Sequence, residues 1–155
     1  DSVELCPMAR SLARGSSVHF SLGDVRGSGL KFQEPPLPHL ILEISRELLE
    51  EGRVRGVLLA LHDAASATGI VQADDLKLRV TPADIALIGG QTQPFVHLTV
   101  ALLAGRSDAE KLRLSETLLG VLCDCFDNVE RCSVEIRDMH APSYKKRPFV
   151  TPSQT

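Results

Sequence analysis

A strand, a helix and one or more further strands follow one another twice along this chain, and this repeat restricts the fold more than any other feature. In the first unit, residues 40–45 alternate in the manner of a strand. Residues 48–67 then carry apolar side chains near helical spacing from Leu49 onward, which predicts an amphipathic helix that buries them, and Gly69 follows as a helix-ending glycine. Residues 75–80 and 84–88 are predicted to form two short strands.

The second unit has the same order. Residues 95–103 form a long run of β-prone residues, and residues 133–138 alternate as a strand. Between them, Ser107 and Glu110 have the spacing of a capping box, which predicts a helix from there to about Phe126. We expect this helix to bury one broad face made of Leu112, Leu118, Leu119, Leu122, Cys125 and Phe126.

These elements predict an α+β fold, in which two tandem β-α-β units form a mixed sheet with both helices on one face. Crossovers between parallel strands are right-handed in nearly all proteins. The other face of the sheet also needs a cover, and the remaining chain has no element to supply one. The sequence therefore predicts an oligomer that packs sheets face to face around a closed ring.

The 155 residues suit a single domain, preceded by an extension. Residues 1–37 mix Gly, Ser, Arg and Pro without a sustained period, apart from a possible short strand at residues 18–22. We place the domain at residues 38–155. Its tail, from about residue 141, is expected either to lie on a neighbouring subunit or to be loose.

Composition excludes several classes of function. A net charge of −3, 4% aromatic residues and no Trp make a nucleic-acid partner unexpected. The chain has no apolar run of about 20 residues and no signal peptide at its start, so we expect no membrane partner and a cytoplasmic location. The four cysteines lack metal-ligand spacing and are expected to be buried free thiols, with no metal site; they are Cys6, Cys123, Cys125 and Cys132.

Five short stretches in the same order carry a resemblance to a known family. They are Pro38-His39-Leu40-Ile41-Leu42-Glu43-Ile44-Ser45, Ala67-Thr68-Gly69-Ile70, Phe95-Val96-His97-Leu98-Thr99-Val100, Ala104-Gly105-Arg106-Ser107, and Val134-Glu135-Ile136 followed by His140. Over about residues 38–147 the chain resembles 5-carboxymethyl-2-hydroxymuconate isomerase, a family of the tautomerase superfamily. The resemblance implies a β-α-β building block, a homotrimer and a cofactor-free isomerase with an N-terminal proline.

Pro38 occupies the position of that catalytic proline. A terminal secondary amine can act as a general base, because an α-amino group has a pKa of about 7.7–8.0 and nearby cations lower it. In this chain, however, Leu37 precedes Pro38, so the proline nitrogen is a non-basic amide. On its composition alone, Pro38 would merely begin an edge strand.

The residues before Pro38 suggest how its nitrogen becomes free. Gln33-Glu34 can be encoded as CAGGAG, which contains a ribosome-binding sequence, and Leu37 can be encoded by the alternative start codon TTG. Translation from that codon, followed by removal of the initiator methionine, would expose Pro38. We therefore expect residues 1–37 to be a mis-called leader, and a gene with neither CAGGAG nor TTG there would exclude this hypothesis.

Three cations are candidates for binding an anionic substrate. Arg106 directly precedes the predicted helix N-cap, where its guanidinium and free backbone N–H groups could hold one carboxylate. The resemblance makes it the substrate-binding and catalytic arginine. Lys77 and Arg79 alternate onto one strand face, and the family has an arginine where this chain has Lys77. The plainer alternatives are an Arg106 that neutralises nearby acidic residues and a solvated strand face.

Phe95 could line the pocket near the proline, although a Phe that opens a strand is more often core. Four other polar residues have no evident relay partner and are expected to be structural; they are His39, Glu43, His97 and His140. Because it lies between apolar neighbours, His97 is expected to be a hydrogen-bonded core or interface residue.

The resemblance implies an isomerase that converts an enol, 5-carboxymethyl-2-hydroxymuconate or a related polycarboxylate, to its keto form during the breakdown of aromatic compounds. Two alternatives remain. The amide at Pro38 favours a catalytically silent trimer that binds small carboxylate anions. The lysine at position 77 favours an enzyme acting on another unsaturated acid.

Overall fold

The computed structural model describes residues 38–145 and folds them into four strands and two long helices. In chain order these are β1 (His39–Ser45), α1 (Glu51–Ala67), β2 (Lys77–Ala83), β3 (Phe95–Leu103), α2 (Asp108–Cys125) and β4 (Arg131–Met139). The short 3-10 turns Arg46–Leu48 and Ala73–Asp75 precede α1 and β2. Cys6 and the strand expected at residues 18–22 lie outside the described residues.

The four strands form one mixed sheet in the order β2-β1-β3-β4. β1 pairs with β2 in parallel and β3 pairs with β4 in parallel, whereas the central pair β1 and β3 is antiparallel. Each parallel pair is joined by a helical crossover, as parallel pairing requires. The predicted fold class, two β-α-β units that share one mixed sheet, is confirmed.

The hydrophobic core lies between this sheet and the two helices. Alternate residues of the central strands are buried on the helix side: Leu40, Leu42 and Ile44 in β1, and Val96, Leu98, Val100 and Leu102 in β3. The helices meet them with Val54, Val57, Leu61 and Ala65 of α1 and with Leu114, Leu118, Val121 and Leu122 of α2. Both helices therefore cover the same face, and the opposite face of the sheet is left open.

The strand predicted at residues 84–88 does not form. Instead β2 continues through Pro82 to Ala83, and the chain then bends towards an isolated bridge between Ile88 and Gln91. Proline is tolerated in β2 because this strand is at the sheet edge, where a missing N–H leaves no ladder bond unmade. None of residues 84–88 is buried, so neither side of this segment faces the core.

Two leucines that were expected to be buried in helices are exposed. Leu49 is 39% exposed because it precedes α1, which begins at Glu51 rather than at residue 48. Leu112 is 59% exposed. At about 100° per residue it lies roughly opposite Leu114, on which the buried stripe of α2 is centred. An apolar residue in a helix is not necessarily on the core face.

The predicted end of α1 and the predicted start of α2 are confirmed. Thr68 ends α1, and Gly69 adopts a positive φ of 71°, which glycine tolerates without a steric cost. At the start of α2, the Ser107 hydroxyl accepts a hydrogen bond from the Glu110 amide at 3.3 Å. The Glu110 carboxylate in turn accepts one from the Ser107 amide at 2.8 Å, which completes the capping box.

Replacing Ser107 by alanine is expected to lower the free energy of unfolding by about 1 kcal/mol, because the Glu110 amide loses its acceptor. Urea denaturation would measure this loss. Ser115→Ala is the matched control, since the Ser115 hydroxyl only donates back to the carbonyl of Leu112. The control should change stability by less than about 0.5 kcal/mol, and equal effects of the two substitutions would contradict the capping role.

Candidate active site

The sheet brings several predicted site residues to one of its ends. His39 at the start of β1 pairs with Lys77 at the start of β2 and with Ala101 near the end of β3. Leu103, the last residue of β3, pairs with Met139 at the end of β4. Pro38, Lys77 and Arg106 therefore all belong to the same end of the sheet.

Pro38 is buried, and its carbonyl accepts a hydrogen bond from the Lys77 amide at 2.9 Å. This bond begins the pairing of β1 with β2. The expectation that Pro38 would begin an edge strand is wrong, because β1 lies between β2 and β3. A proline is accommodated there because it precedes the first paired residue of the strand.

Arg106 is held against the backbone by two hydrogen bonds. Its Nη1 donates to the carbonyl of Leu103 at 3.0 Å, and its Nη2 donates to the carbonyl of Ile70 at 3.5 Å. A guanidinium has five N–H donors, so donors remain for a bound anion. Gly105 makes this geometry accessible, since its φ of 128° lies in a region that other residues rarely adopt.

The first turn of α2 offers fewer donors to an anion than its sequence predicts, because the Ser107 amide is already bonded to Glu110. The hydrogen bonds from the Ser107 amide and hydroxyl, followed by the charges of Arg113 and Arg106, lower the pKa of the Glu110 carboxyl. A substrate carboxylate at this end would therefore depend mainly on the Arg106 side chain.

Two of the stretches that carry the family resemblance are in contact. The loop that ends α1 presents the carbonyls of Thr68 and Ile70 towards α2. Arg106 binds the Ile70 carbonyl, and Arg113 binds the Thr68 carbonyl at 3.2 Å. One role of residues 67–70 is therefore to fix the position of Arg106.

Lys77 and Arg79 are exposed on the open face of the sheet, while Leu76, Leu78 and Val80 pack on the core side. This is the predicted alternation. In register, Lys77 lies beside His39 of β1. The Arg79 Nη1 lies 3.4 Å from the Nδ1 of His39.

His39 has partners that the sequence did not indicate. Its Nε2 lies 3.3 Å from the hydroxyl of Tyr144, and the two rings meet edge to face with centroids 6.1 Å apart. Burial, followed by the charges of Arg79 and Lys77, lowers the pKa of His39 from its ordinary 6.5. The described part of the tail, residues 141–145, thus contacts its own chain through Tyr144. The sequence held a signal for this contact: alternation puts Lys77 and Arg79 on one face of β2, and parallel pairing with β1 puts His39 beside them.

Phe95 lies at the other end of the sheet, where it pairs with Arg131 of β4. Phe95 is six positions from Ala101, so it is about 20 Å along the strand from the Pro38 end. Phe95 and Pro38 therefore do not meet within one chain. Phe95 instead borders an open depression of about 490 Å³, together with Glu43, Ile88, His97, Glu130, Arg131, Cys132 and Ser133.

His97 is hydrogen-bonded, as expected. Its Nδ1 lies 2.8 Å from the Ser133 hydroxyl and its Nε2 lies 3.3 Å from the Thr99 hydroxyl. The Glu135 carboxylate is 3.8 Å from the same Nε2. His97 therefore belongs to a polar network on the open face of the sheet, made with Ser133, Thr99 and Glu135.

Among residues 38–145, no group of three His, Cys, Asp or Glu side chains is arranged to hold a metal ion. Cys123 and Cys132 are free thiols, but the expectation that they are buried is wrong, because Cys123 is exposed and Cys132 is only partly buried. Partial burial raises the pKa of Cys132. None of the helices in this part of the chain is both long and apolar enough to cross a bilayer.

Comparison with known proteins places this architecture in a family. The sequence model of 5-carboxymethyl-2-hydroxymuconate isomerase matches residues 38–149. A 5-carboxymethyl-2-hydroxymuconate isomerase from Deinococcus radiodurans R1 has a similar structure, with a TM-score of 0.64 and 27% identity over 75% of this chain and 92% of that one. No curated protein matches the sequence.

Two further structures share the fold. A 5-carboxymethyl-2-hydroxymuconate delta-isomerase has a TM-score of 0.57 and 20% identity over 74% of this chain and 89% of that one. A fused 4-OT wild type symmetric trimer has a TM-score of 0.58 and 19% identity over 65% of this chain and 85% of that one.

The mixed sheet, its two helices and these similarities define an α+β protein of the tautomerase superfamily. More particularly, the chain belongs to the 5-carboxymethyl-2-hydroxymuconate isomerase family, and it is an isomerase.

Because the pKa of His39 is lowered in the folded protein, stability should fall as the pH drops below about 6.5. In that range the unfolded chain takes up a proton before the folded chain does, so acidification favours unfolding. Urea denaturation between roughly pH 7.5 and pH 5 would measure the slope. His39→Asn should flatten it and the control His62→Asn should not. A slope unchanged by His39→Asn would contradict the assignment.

Proposed function

We propose that this isomerase converts the enol form of a 2-hydroxymuconate-type polycarboxylate to its keto isomer, with 5-carboxymethyl-2-hydroxymuconate as the natural substrate. The reaction needs no cofactor and belongs to the cytoplasmic breakdown of aromatic compounds. The observation that carries the proposal is the gathering of Pro38, Lys77, Arg79 and Arg106 at one end of the sheet. This is the end at which the family resemblance puts the proline.

In the proposed reaction, the secondary amine of Pro38 removes the proton from the enol hydroxyl. The electron pair of the broken O–H bond forms the carbonyl, and the double-bond electrons move to the distal carbon. The protonated amine then returns the proton to that carbon. A positioned group with a pKa near the working pH suits both transfers.

The cations of the site have separate tasks in this proposal. Arg106 binds one carboxylate through the N–H groups that are not bonded to the carbonyls of Leu103 and Ile70. It also stabilises the negative charge that develops on the dienolate. Lys77 and Arg79 bind a second carboxylate from the open face of the sheet. Lys77 lacks the planar fork of arginine, so its preference among polycarboxylates differs from that of an arginine site.

A homotrimer accompanies this function in our proposal. The open sheet face is polar, with Lys77, Arg79, Glu135 and Arg137 among its side chains, and a neighbouring copy would cover it. The fused 4-OT structure of the same fold is a symmetric trimer. In such an assembly Phe95 of a neighbouring subunit supplies the apolar wall that Phe95 of the same chain is too distant to provide.

Native mass spectrometry should therefore give a particle about three times the 16.8 kDa mass of one chain. Glu135→Arg should release monomers, because it removes the partner of Arg137 and puts a second positive charge beside it on the open face. Asp63→Arg, an exposed position on α1, is the matched control and should remain trimeric. If the unmodified protein is a monomer, the proposed homotrimer is refuted.

A second function is favoured by the Leu37-Pro38 bond. In the chain with that bond intact the nitrogen of Pro38 is an amide and cannot carry a proton. The protein would then be a catalytically silent trimer that binds small carboxylate anions through the same cations. A third candidate, an isomerase of another unsaturated acid, is favoured only by Lys77 in place of the family arginine.

The length of the N-terminus decides between the first two functions. A chain that begins at Pro38 should ketonise the enol acid in an ultraviolet absorbance assay, whereas the chain that begins at Asp1 should not. Amide nitrogen is not basic at neutral pH, so we expect at least a roughly hundredfold difference in kcat, as for loss of a general base. Mass and N-terminal sequence of protein from its native host would show which form occurs.

A chain that begins at Leu37 is the sharpest control, because it adds a single residue and moves the terminal amine away from Pro38. It should be as inactive as the long chain. Equal turnover by the chains beginning at Leu37 and Pro38 would exclude the proline mechanism. Carboxylate binding without turnover by the Pro38 chain would favour the silent trimer, and turnover of only a different enol acid would favour the third candidate.

A further inference from the structure

His39 lies between two residues that are distant in sequence. On one side the Nη1 of Arg79 is 3.4 Å from its Nδ1, and on the other side the Tyr144 hydroxyl is 3.3 Å from its Nε2. Arg79 comes from β2, His39 from β1 and Tyr144 from the segment after β4. Three parts of the chain therefore meet on the open face of the sheet.

A turn holds Tyr144 in this position. The amides of Ser143 and Tyr144 both donate to the carbonyl of His140 at 3.1 Å. The Nδ1 of His140 also lies 2.9 Å from the Ser143 hydroxyl. The segment is thus a structured turn that directs the tyrosine ring onto His39.

The chemistry of these groups fixes the direction of each hydrogen bond. A guanidinium can only donate, so the Nδ1 of His39 must accept from Arg79. In a neutral imidazole the other nitrogen then carries the hydrogen, and Nε2 donates to the oxygen of Tyr144. The hydroxyl hydrogen of Tyr144 is consequently available to another acceptor.

The surroundings favour this neutral form. Lys77 and Arg79 of β2 are the charged groups that face the His39 ring, and Tyr144 approaches it from the tail. On the other side, β3 places uncharged Ala101 opposite His39. An imidazolium would lack an acceptor for its Nδ1 hydrogen and would repel Arg79.

We propose that His39 is a positioning residue that holds the Arg79 guanidinium, and that the Tyr144 hydroxyl donates a hydrogen bond to the carboxylate which Arg79 binds. The inference rests on the proposed function for the class of ligand, a polycarboxylate. Holding a long, exposed arginine in place lowers the ordering cost of binding. The added donor fixes the direction of the carboxylate.

Adipate, the saturated six-carbon dicarboxylate, is a suitable probe because it binds without reacting. Calorimetric titration of the full chain should show adipate binding that Tyr144→Phe weakens about tenfold, since hydrogen bonds to charged groups contribute on that scale. His39→Leu should cause a similar loss. His39→Asn should restore most of the affinity, because its carbonyl oxygen can replace Nδ1 as the acceptor for Arg79.

The tautomer provides a readout that needs neither ligand nor turnover. Nitrogen-15 NMR of the unmodified protein at neutral pH should show His39 with its hydrogen on Nε2, and Arg79→Met should populate the Nδ1–H form. His62→Asn, on the helix side of the sheet, is the control and should leave both the tautomer and adipate binding unchanged.

The outcomes separate this proposal from the proposed function. An Nδ1–H tautomer in the unmodified protein, or unaltered adipate binding by both Tyr144→Phe and His39→Leu, would overturn the proposed roles of His39 and Tyr144. Either result would leave the isomerase mechanism intact. Failure of the unmodified chain to bind adipate would overturn the carboxylate site itself. Failure of turnover alone would count only against the proline mechanism.

Discussion

The antiparallel pairing of β1 with β3 is the constraint on which the rest of the structure depends. Each central strand also takes one parallel partner, β2 or β4, on its outer side. A parallel partner can be reached only by a crossover, and α1 and α2 provide the two crossovers on a single face. The same arrangement brings the starts of β1 and β2 to the ends of β3 and β4, where the candidate site lies.

Local signals in the sequence were sufficient for most of this fold. The capping box at Ser107, the glycine at position 69 and the β-prone run of β3 each report on a few adjacent residues, and each was predicted correctly. The prediction of a strand at residues 84–88 was wrong, because a short apolar segment forms a strand only where a neighbouring strand pairs with it. The prediction that Leu112 is buried was wrong, because the position of a residue around the helix, rather than its apolarity, decides whether it reaches the core.

The candidate site was harder to predict, because its contacts depend on register. Alternation placed Lys77 and Arg79 on one face, but only the parallel pairing of β1 and β2 puts His39 beside them. Tyr144 is 105 positions from His39, and no local pattern connects the two. Phe95 shows the converse: an apolar side chain suits a pocket wall, but its type carries no information on distance, and within one chain Phe95 lies at the far end of β3 from Pro38.

The two main functions considered for this chain differ by one covalent bond, the amide between Leu37 and Pro38. The cations are side chains and attract carboxylates whether or not that bond is present, so anion binding belongs to both functions. Proton transfer belongs to only one, since it needs a basic nitrogen. If the nitrogen is free, nearby positive charge disfavours its protonated form and lowers its pKa towards neutrality. The same cations would then both hold the substrate and tune the base, whereas beside an amide they can only bind.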